Sequence, residues 1–182
     1  MKITVNDKVL QYDGPVSIEK IAQDLNLKPV LAANVNGRLR ELAYILTKDQ
    51  EITFLGYENS DAVKIYESTI RYVVAMVINR LYPNASVKFN YSISRSILAV
   101  VDGYDGYTDD HFVETIMTEV KEIINQDLPI KRQRVSIGEA KQHYQEHGMY
   151  DKVEILKYRE EDYVNLYACD GYANYMFGYM LP

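Results

Sequence analysis

The sequence predicts an α+β protein in two parts. A small β-grasp-like domain covers residues 1–58, and an α+β domain with two long helices on an antiparallel sheet covers residues 60–182. Three observations carry that reading. The first 58 residues alternate apolar and polar side chains in short runs around one short amphipathic helix. Two later stretches, Glu67 to Leu81 and Phe112 to Ile124, repeat apolar residues at helical spacing. The segments between and behind them read as strands.

At the front, "KITV" and "VLQY" flank Asn6-Asp7-Lys8, a turn of the kind that joins hairpin strands. Ser17 offers an N-cap to a helix whose Ile18, Ile21, Ala22 and Leu25 share one face, and Pro29 is expected to stop it. "VLAANV" reads as a buried strand closed by the Asn36-Gly37 turn, and "EITF" sets Ile52 and Phe54 on one side of another strand. One helix packed across such a mixed sheet is a β-grasp-like layout. The polar stretch Gly56 to Lys64 reads as the boundary.

Behind it, Ile70, Val73, Val74, Val77 and Leu81 make one apolar stripe, with Ser68 and Tyr72 four apart on a neighbouring face. "SVKFNYSIS" and "SILAVVDGY" read as strands joined near Ser94-Arg95. Thr108 offers the cap of the second long helix, which turns Phe112, Ile116, Val120, Ile123 and Ile124 inward and ends at Asp127-Leu128-Pro129. "IKRQRVS" is a strand, and Ser136 with Glu139 forms a capping box for a short helix stopping at Gly148. "YVNLYACDGY" is extended and leads into an aromatic tail. Its apolar ending, "YMFGYMLP", makes us expect the native polypeptide to continue beyond Pro182.

Composition narrows the function classes. A hydrophobic share of 47% with 25% charged residues describes a globular chain. The net charge of −6 argues against a whole-surface grip on nucleic acid and leaves only local basic patches. One cysteine, Cys169, excludes an internal disulfide, and no apolar run approaches the roughly 20 residues that cross a bilayer. A cytoplasmic protein without membrane partners is expected. Tyrosine is over-used, at 17 of 182 residues, and Tyr163, Tyr167, Tyr172, Tyr175 and Tyr179 crowd the end as core or interface.

The stretch "AANVNGRLREL" makes residues 1–58 resemble a TGS domain, the β-grasp module at the front of threonyl-tRNA synthetases. "NRLYPNA", "NQDLPIKRQRVSIGEA" and "NLYACDGY" make residues 60–182 resemble the second domain of those synthetases, which removes wrongly attached serine from tRNA. Members of that family carry paired histidines on the editing helix, then a cysteine and a further histidine. Matched from "LYP", the pair falls on Ser68 and Tyr72, and the cysteine on Cys169. The last histidine falls on Met180 of "GYMLP", behind extra residues from about Tyr172 to Phe177. Serine, tyrosine and methionine cannot do the proton-transfer work of imidazole near neutral pH. The resemblance therefore implies that deacylation is lost and that no residue here is catalytic. Ser68, Tyr72, Cys169 and Met180 would line a former cleft that keeps a small nucleotide or amino-acid pocket.

A degenerate unit of this kind is also similar to the N-terminal half of bacterial nucleoside kinases, where it precedes a P-loop domain of the uridine-kinase family. That resemblance implies a non-catalytic accessory region whose partner is its own downstream kinase domain. ATP and Mg would serve that domain alone, with no cofactor and no metal in this chain, and no G-x-x-x-x-G-K-[ST] occurs between Met1 and Pro182. The alternative it leaves is the N-terminal tRNA-binding or editing region of a threonyl-tRNA-synthetase-like protein. tRNA is then a candidate partner through Arg38, Arg40, Lys131, Arg132 and Arg134, and a homo-oligomer is a further candidate assembly.

Other patterns read blandly. "HYQEH", His143 to His147, fits a zinc-protease spacing but sits on a short polar helix without a third ligand. His111 reads as a surface residue and Cys169 as a buried structural thiol. Asp102, Asp105, Asp109 and Asp110 suit turns and helix capping.

Overall fold

The computed structural model describes residues 1–94 and 96–182 and gives an α+β fold in two compact units, Met1–Asp127 with Gly178–Pro182, and Leu128–Phe177. The first unit opens with the hairpin β1 (Lys2–Val5) and β2 (Lys8–Gln11). Asn6 and Asp7 both take positive φ between them, the backbone of a tight hairpin turn. The short β3 (Val16–Ser17) leads into α1 (Ile18–Asp24), where the Ser17 side chain accepts the Lys20 amide as expected of an N-cap.

Pro29 does not end this helix. The chain leaves it at the cap Leu25, and Asn26 turns left-handed at φ 51, before the proline is reached. β4 (Ala32–Val35), β5 (Arg38–Arg40), β6 (Ile45–Leu46) and β7 (Gln50–Leu55) follow. The main sheet runs β2-β1-β7-β4-β5, with β1 and β7 parallel and the other pairs antiparallel; β3 pairs with β6 beside it. Ile18 and Ile21 of α1 close its core against Ile3, Ala33, Leu46 and Ile52, all buried. This is the β-grasp arrangement of one helix crossing a mixed sheet.

Asn59 caps α2 (Ser60–Leu81) by accepting the amides of Asp61 and Ala62, so Ser60 to Lys64 are helical and lie inside the first unit. Its buried face differs from the stripe read in the sequence. Ala62, Ile65, Ser68, Thr69, Tyr72, Val73, Met76, Val77 and Ile78 are buried, whereas Ile70, Val74 and Leu81 are only half-buried. The cause lies at the helix start, where Ala62 and Ile65 pack on Leu31 and Ala32 and rotate the covered face toward the β-grasp sheet.

The hairpin β8 (Ser86–Ile93) and β9 (Ser96–Asp102) comes next. The sequence places its turn near Ser94-Arg95, and Arg95 lies outside the described residues. Gly103 leaves β9 at φ +74, where a Cβ would stand 2.3 Å from the Asn84 carbonyl oxygen, so only glycine fits. Asp109, and not Thr108, caps α3 (Asp110–Gln126), its carboxylate accepting the Phe112 amide at 3.0 Å. Phe112, Ile116, Val120 and Ile123 are buried as expected, but Ile124 is 51% exposed. Asp127 ends the helix left-handed at φ 51.

The second unit starts with β10 (Lys131–Ser136) and the expected capping box. The Ser136 side chain accepts the Glu139 amide, and the Glu139 carboxylate accepts the Ser136 amide, at the head of α4 (Ile137–Glu146). A further short helix, α5 (Tyr150–Leu156), has no side-chain cap and is not legible in the sequence. The last extended stretch is a hairpin, β11 (Tyr163–Cys169) and β12 (Tyr172–Tyr175), turned by Asp170-Gly171. β10-β11-β12 form one antiparallel sheet, and Val164 and Leu166 pack against Ala140, Tyr144, Val153 and Leu156 from the two helices. Among the described residues no helix is long and apolar enough to cross a membrane.

Candidate functional site

Ser68 and Tyr72 stand one turn apart on α2, on its buried face and not beside it. Ser68 is 9% exposed and its Oγ accepts from Arg71 Nη2 at 3.2 Å; Tyr72 is 1% exposed. Between them in sequence lies Thr69, a residue the sequence reading passes over. Its hydroxyl donates to the Ile65 carbonyl at 2.9 Å and accepts the Leu181 amide at 2.9 Å.

The strap Gly178–Pro182 thus belongs to the same compact unit as α2. Gly178 enters it at φ +99, a region open to glycine. Tyr179 Oη accepts from Arg40 Nη1 of β5 at 3.3 Å, and the Leu181 side chain packs on the clusters around Ile52 and around Ala62. Met180, the position matched to a family histidine, is 1% exposed. The arrangement supplies hydroxyls and a thioether, groups that hold a fold or a ligand but do not relay protons near neutral pH.

Cys169 belongs to the second unit, at the end of β11. It is 4% exposed, with Sγ 4.0 Å from the Leu128 carbonyl it donates to, and it forms part of the wall of a shallow pocket of about 330 Å3 with Lys131, Gln133 and Asp170. The three helix-and-strap positions therefore share one unit, and the cysteine sits in the other.

Two of the three histidines are engaged elsewhere. His143 Nε2 lies 3.0 Å from the Ala173 carbonyl, His147 Nδ1 lies 2.8 Å from the His143 carbonyl, and His111 is exposed. Among the described residues no three His, Cys, Asp or Glu side chains converge as a metal would need.

The crowded tyrosines are mostly structural. Tyr167 and Tyr172 are buried, Tyr175 and Tyr179 half-buried, and Tyr163 is exposed. Tyr144 is fully buried: its hydroxyl accepts the Tyr175 amide at 2.9 Å and donates to Asn174 at 3.3 Å, and burial pushes its pKa up to about 12.

The basic candidates divide by environment. Arg38 is exposed, whereas Arg40 is half-buried, bonded to the Leu39 carbonyl and Tyr179 and lying 4.9 Å from the Tyr44 ring centroid. Lys131, Arg132 and Arg134 are exposed along β10, an edge strand, and the Arg134 guanidinium lies 3.4 Å from the Tyr163 ring centroid.

Fold and site together define an α+β chain of two units with a hydroxyl-bearing helix face closed by a strap. No family model matches it. In sequence it is similar to threonine–tRNA ligases. The whole of this chain is 28% identical over 187 aligned positions to that of Thermotoga maritima, and 25% identical over 187 to that of Clostridioides difficile. With the ligase of Desulforamulus reducens it is 27% identical over 168 positions, covering 90% of this chain. The likeness is to the N-terminal region of these proteins, and the chain spans 29%, 29% and 26% of their lengths respectively.

Proposed function

We infer that this chain is the N-terminal, tRNA-facing region of a threonyl-tRNA-synthetase-like protein, with a TGS-type module in front and an editing-type domain that binds without hydrolysing. The carrying observation is similarity along the whole chain to the N-terminal region of threonine–tRNA ligases. The β-grasp sheet of the first 55 residues supports the TGS part. The editing part has Ser68, Tyr72 and Met180 at the positions matched to family histidines, and all three are buried. Loss of the imidazoles removes the proton relay, so the domain would keep acceptor-end recognition and drop the reaction.

The exposed basic edge of β10, with Arg134 stacked on Tyr163, is the surface best suited to phosphate contacts in an otherwise acidic chain. The kinase partner read from the sequence draws no support from the relatives found, and the ligase reading takes precedence over it.

Two measurements test this. tRNA titrated against the chain at two salt concentrations should bind, and bind more weakly at the higher one; absence of binding at low salt removes the tRNA role. Seryl-tRNA incubated with the chain should decay at the rate of a protein-free control, and clear turnover would defeat the loss of editing.

A further inference from the structure

One apolar surface of the first unit lies open beside its core and takes no part in the proposed tRNA contacts. An open groove of about 520 Å3 lies between α2, β9 and α3, lined among others by Ile78, by Ala99, Val100 and Val101, and by Phe112 and Met117; no lining residue is charged. Among the described residues β9 pairs with β8 alone, and a two-stranded sheet is marginal by itself. On α3, Val113, Met117, Val120 and Ile124 recur at i, i+4, i+7 and i+11, one continuous stripe. Val113, Met117 and Ile124 are 52%, 50% and 51% exposed, so the helix is apolar over a wider arc than its own unit covers.

We propose that β9 and α3 form the seam of a symmetric dimer of this chain, with β9 pairing antiparallel to β9 of a second copy and α3 lying along its counterpart. Three features select a second copy as the occupant. A register centred on Ala99 sets that residue opposite itself, Leu98 opposite Val100, Ile97 opposite Val101 and Ser96 opposite Asp102. Apolar then meets apolar and the polar ends coincide. An antiparallel pair of α3 helices sets the exposed Val113 against the exposed Ile124 of the second copy, with Met117 of each copy between them.

Both matches border the same groove, which Ala99, Val100 and Val101 line from β9 and Val113, Ile116 and Met117 line from α3. The charges agree as well. Glu114 and Lys121, both exposed, flank the stripe on one side, and the antiparallel pairing brings Glu114 of each copy beside Lys121 of the other. The dimer carries one sheet, β8-β9-β9-β8, roofed by two helices, and leaves no free edge at the seam.

Sedimentation velocity on the 182-residue chain, from about 1 µM to about 1 mM, tests this. A monomer–dimer equilibrium is expected. Met117→Lys or Val113→Glu should weaken it at least about ten-fold by burying an unpaired charge at the seam. Glu114→Lys should weaken it, and Glu114→Lys with Lys121→Glu should restore it. Tyr158→Lys, at a residue 87% exposed and in the other unit, should leave it unchanged. Circular dichroism keeps folding failure apart from loss of association. A folded chain that stays monomeric throughout overturns the proposal, as does a dimer indifferent to Met117→Lys or a charge reversal without rescue. An apolar dye that fills the groove of a monomer does so too.

Discussion

Thr69 and Leu181, 112 positions apart in the chain, share a hydrogen bond of 2.9 Å in which the strap's amide donates to a hydroxyl on the buried face of α2. The hydroxyl's own proton is spent on the Ile65 carbonyl, so both of its roles are used. Thr69→Val keeps the shape and removes both bonds, leaving the Leu181 amide without this acceptor. We expect a cost of about 1–3 kcal/mol. At about 2–4 °C per kcal/mol for a chain of this size, the melting temperature should fall by several degrees. Amide exchange at Leu181 is the sharper readout, and unchanged protection there would mean that the strap is held by packing alone.

Tyr144 gives the second unit a pH dependence of known sign. Burial raises its pKa from 10.0 to about 12, so the folded state favours the neutral phenol. Its contribution is therefore complete below pH 10 and drains away as pH rises from 10 toward 12. A rise of that size corresponds to roughly 2–3 kcal/mol in favour of the neutral folded form. Tyr144→Phe should be less stable at pH 7, because the Tyr175 amide loses one acceptor, yet should show a flatter stability curve above pH 10. Urea unfolding at a series of alkaline pH values checks this; parallel curves for the two proteins would contradict it. Tyr12, also pushed to about 12 by burial and by Asp24, titrates in the same window in both proteins and cancels in the comparison.

The start of α3 separates two adjacent capping candidates. Asp109→Ala should cost about 1 kcal/mol, since its carboxylate accepts the Phe112 amide and sits at the positive end of the helix. Thr108→Ala should be near neutral. Equilibrium unfolding of both variants decides it, and equal losses would return the cap to Thr108.

These particulars show where a sequence speaks clearly. Strands fixed by tight turns, such as β1-β2 around Asn6-Asp7, are legible because period-two alternation and turn chemistry agree. The capping box at Ser136 and Glu139 is equally plain, being a local bond pair. The buried face of α2 is not, because it is set by Leu31 and Ala32, residues remote in sequence. Periodicity finds an apolar arc but not which edge of it a distant strand will cover, and so it sets Ser68 and Tyr72 beside the covered face instead of on it. α5 escapes for another reason: with seven residues and no capping side chain it has little local signal, and Val153 and Leu156 are drawn in by the core they join. Thr69 leaves no trace, since a mid-helix threonine looks the same whether or not a strap docks on it.

Two arginines matched to the same role should part company under mutation. Arg40 is half-buried and engaged with Leu39, Tyr179 and Tyr44, so Arg40→Ala removes packing and a contact to the strap. Its effect should appear as lost stability, with little change in the affinity of the remaining folded protein for tRNA. Arg134 stands on an exposed edge strand with its guanidinium over Tyr163, free to meet a phosphate or a base from its outer side. Arg134→Ala should leave the melting temperature within about 1–2 °C, since exposed cations contribute little to folding. It should instead weaken tRNA binding and lower the slope of log affinity against log salt by about 1. Titrations at several salt concentrations beside thermal melts give all four numbers, and an Arg134→Ala protein that binds tRNA with the parent's salt slope would take β10 out of the interface.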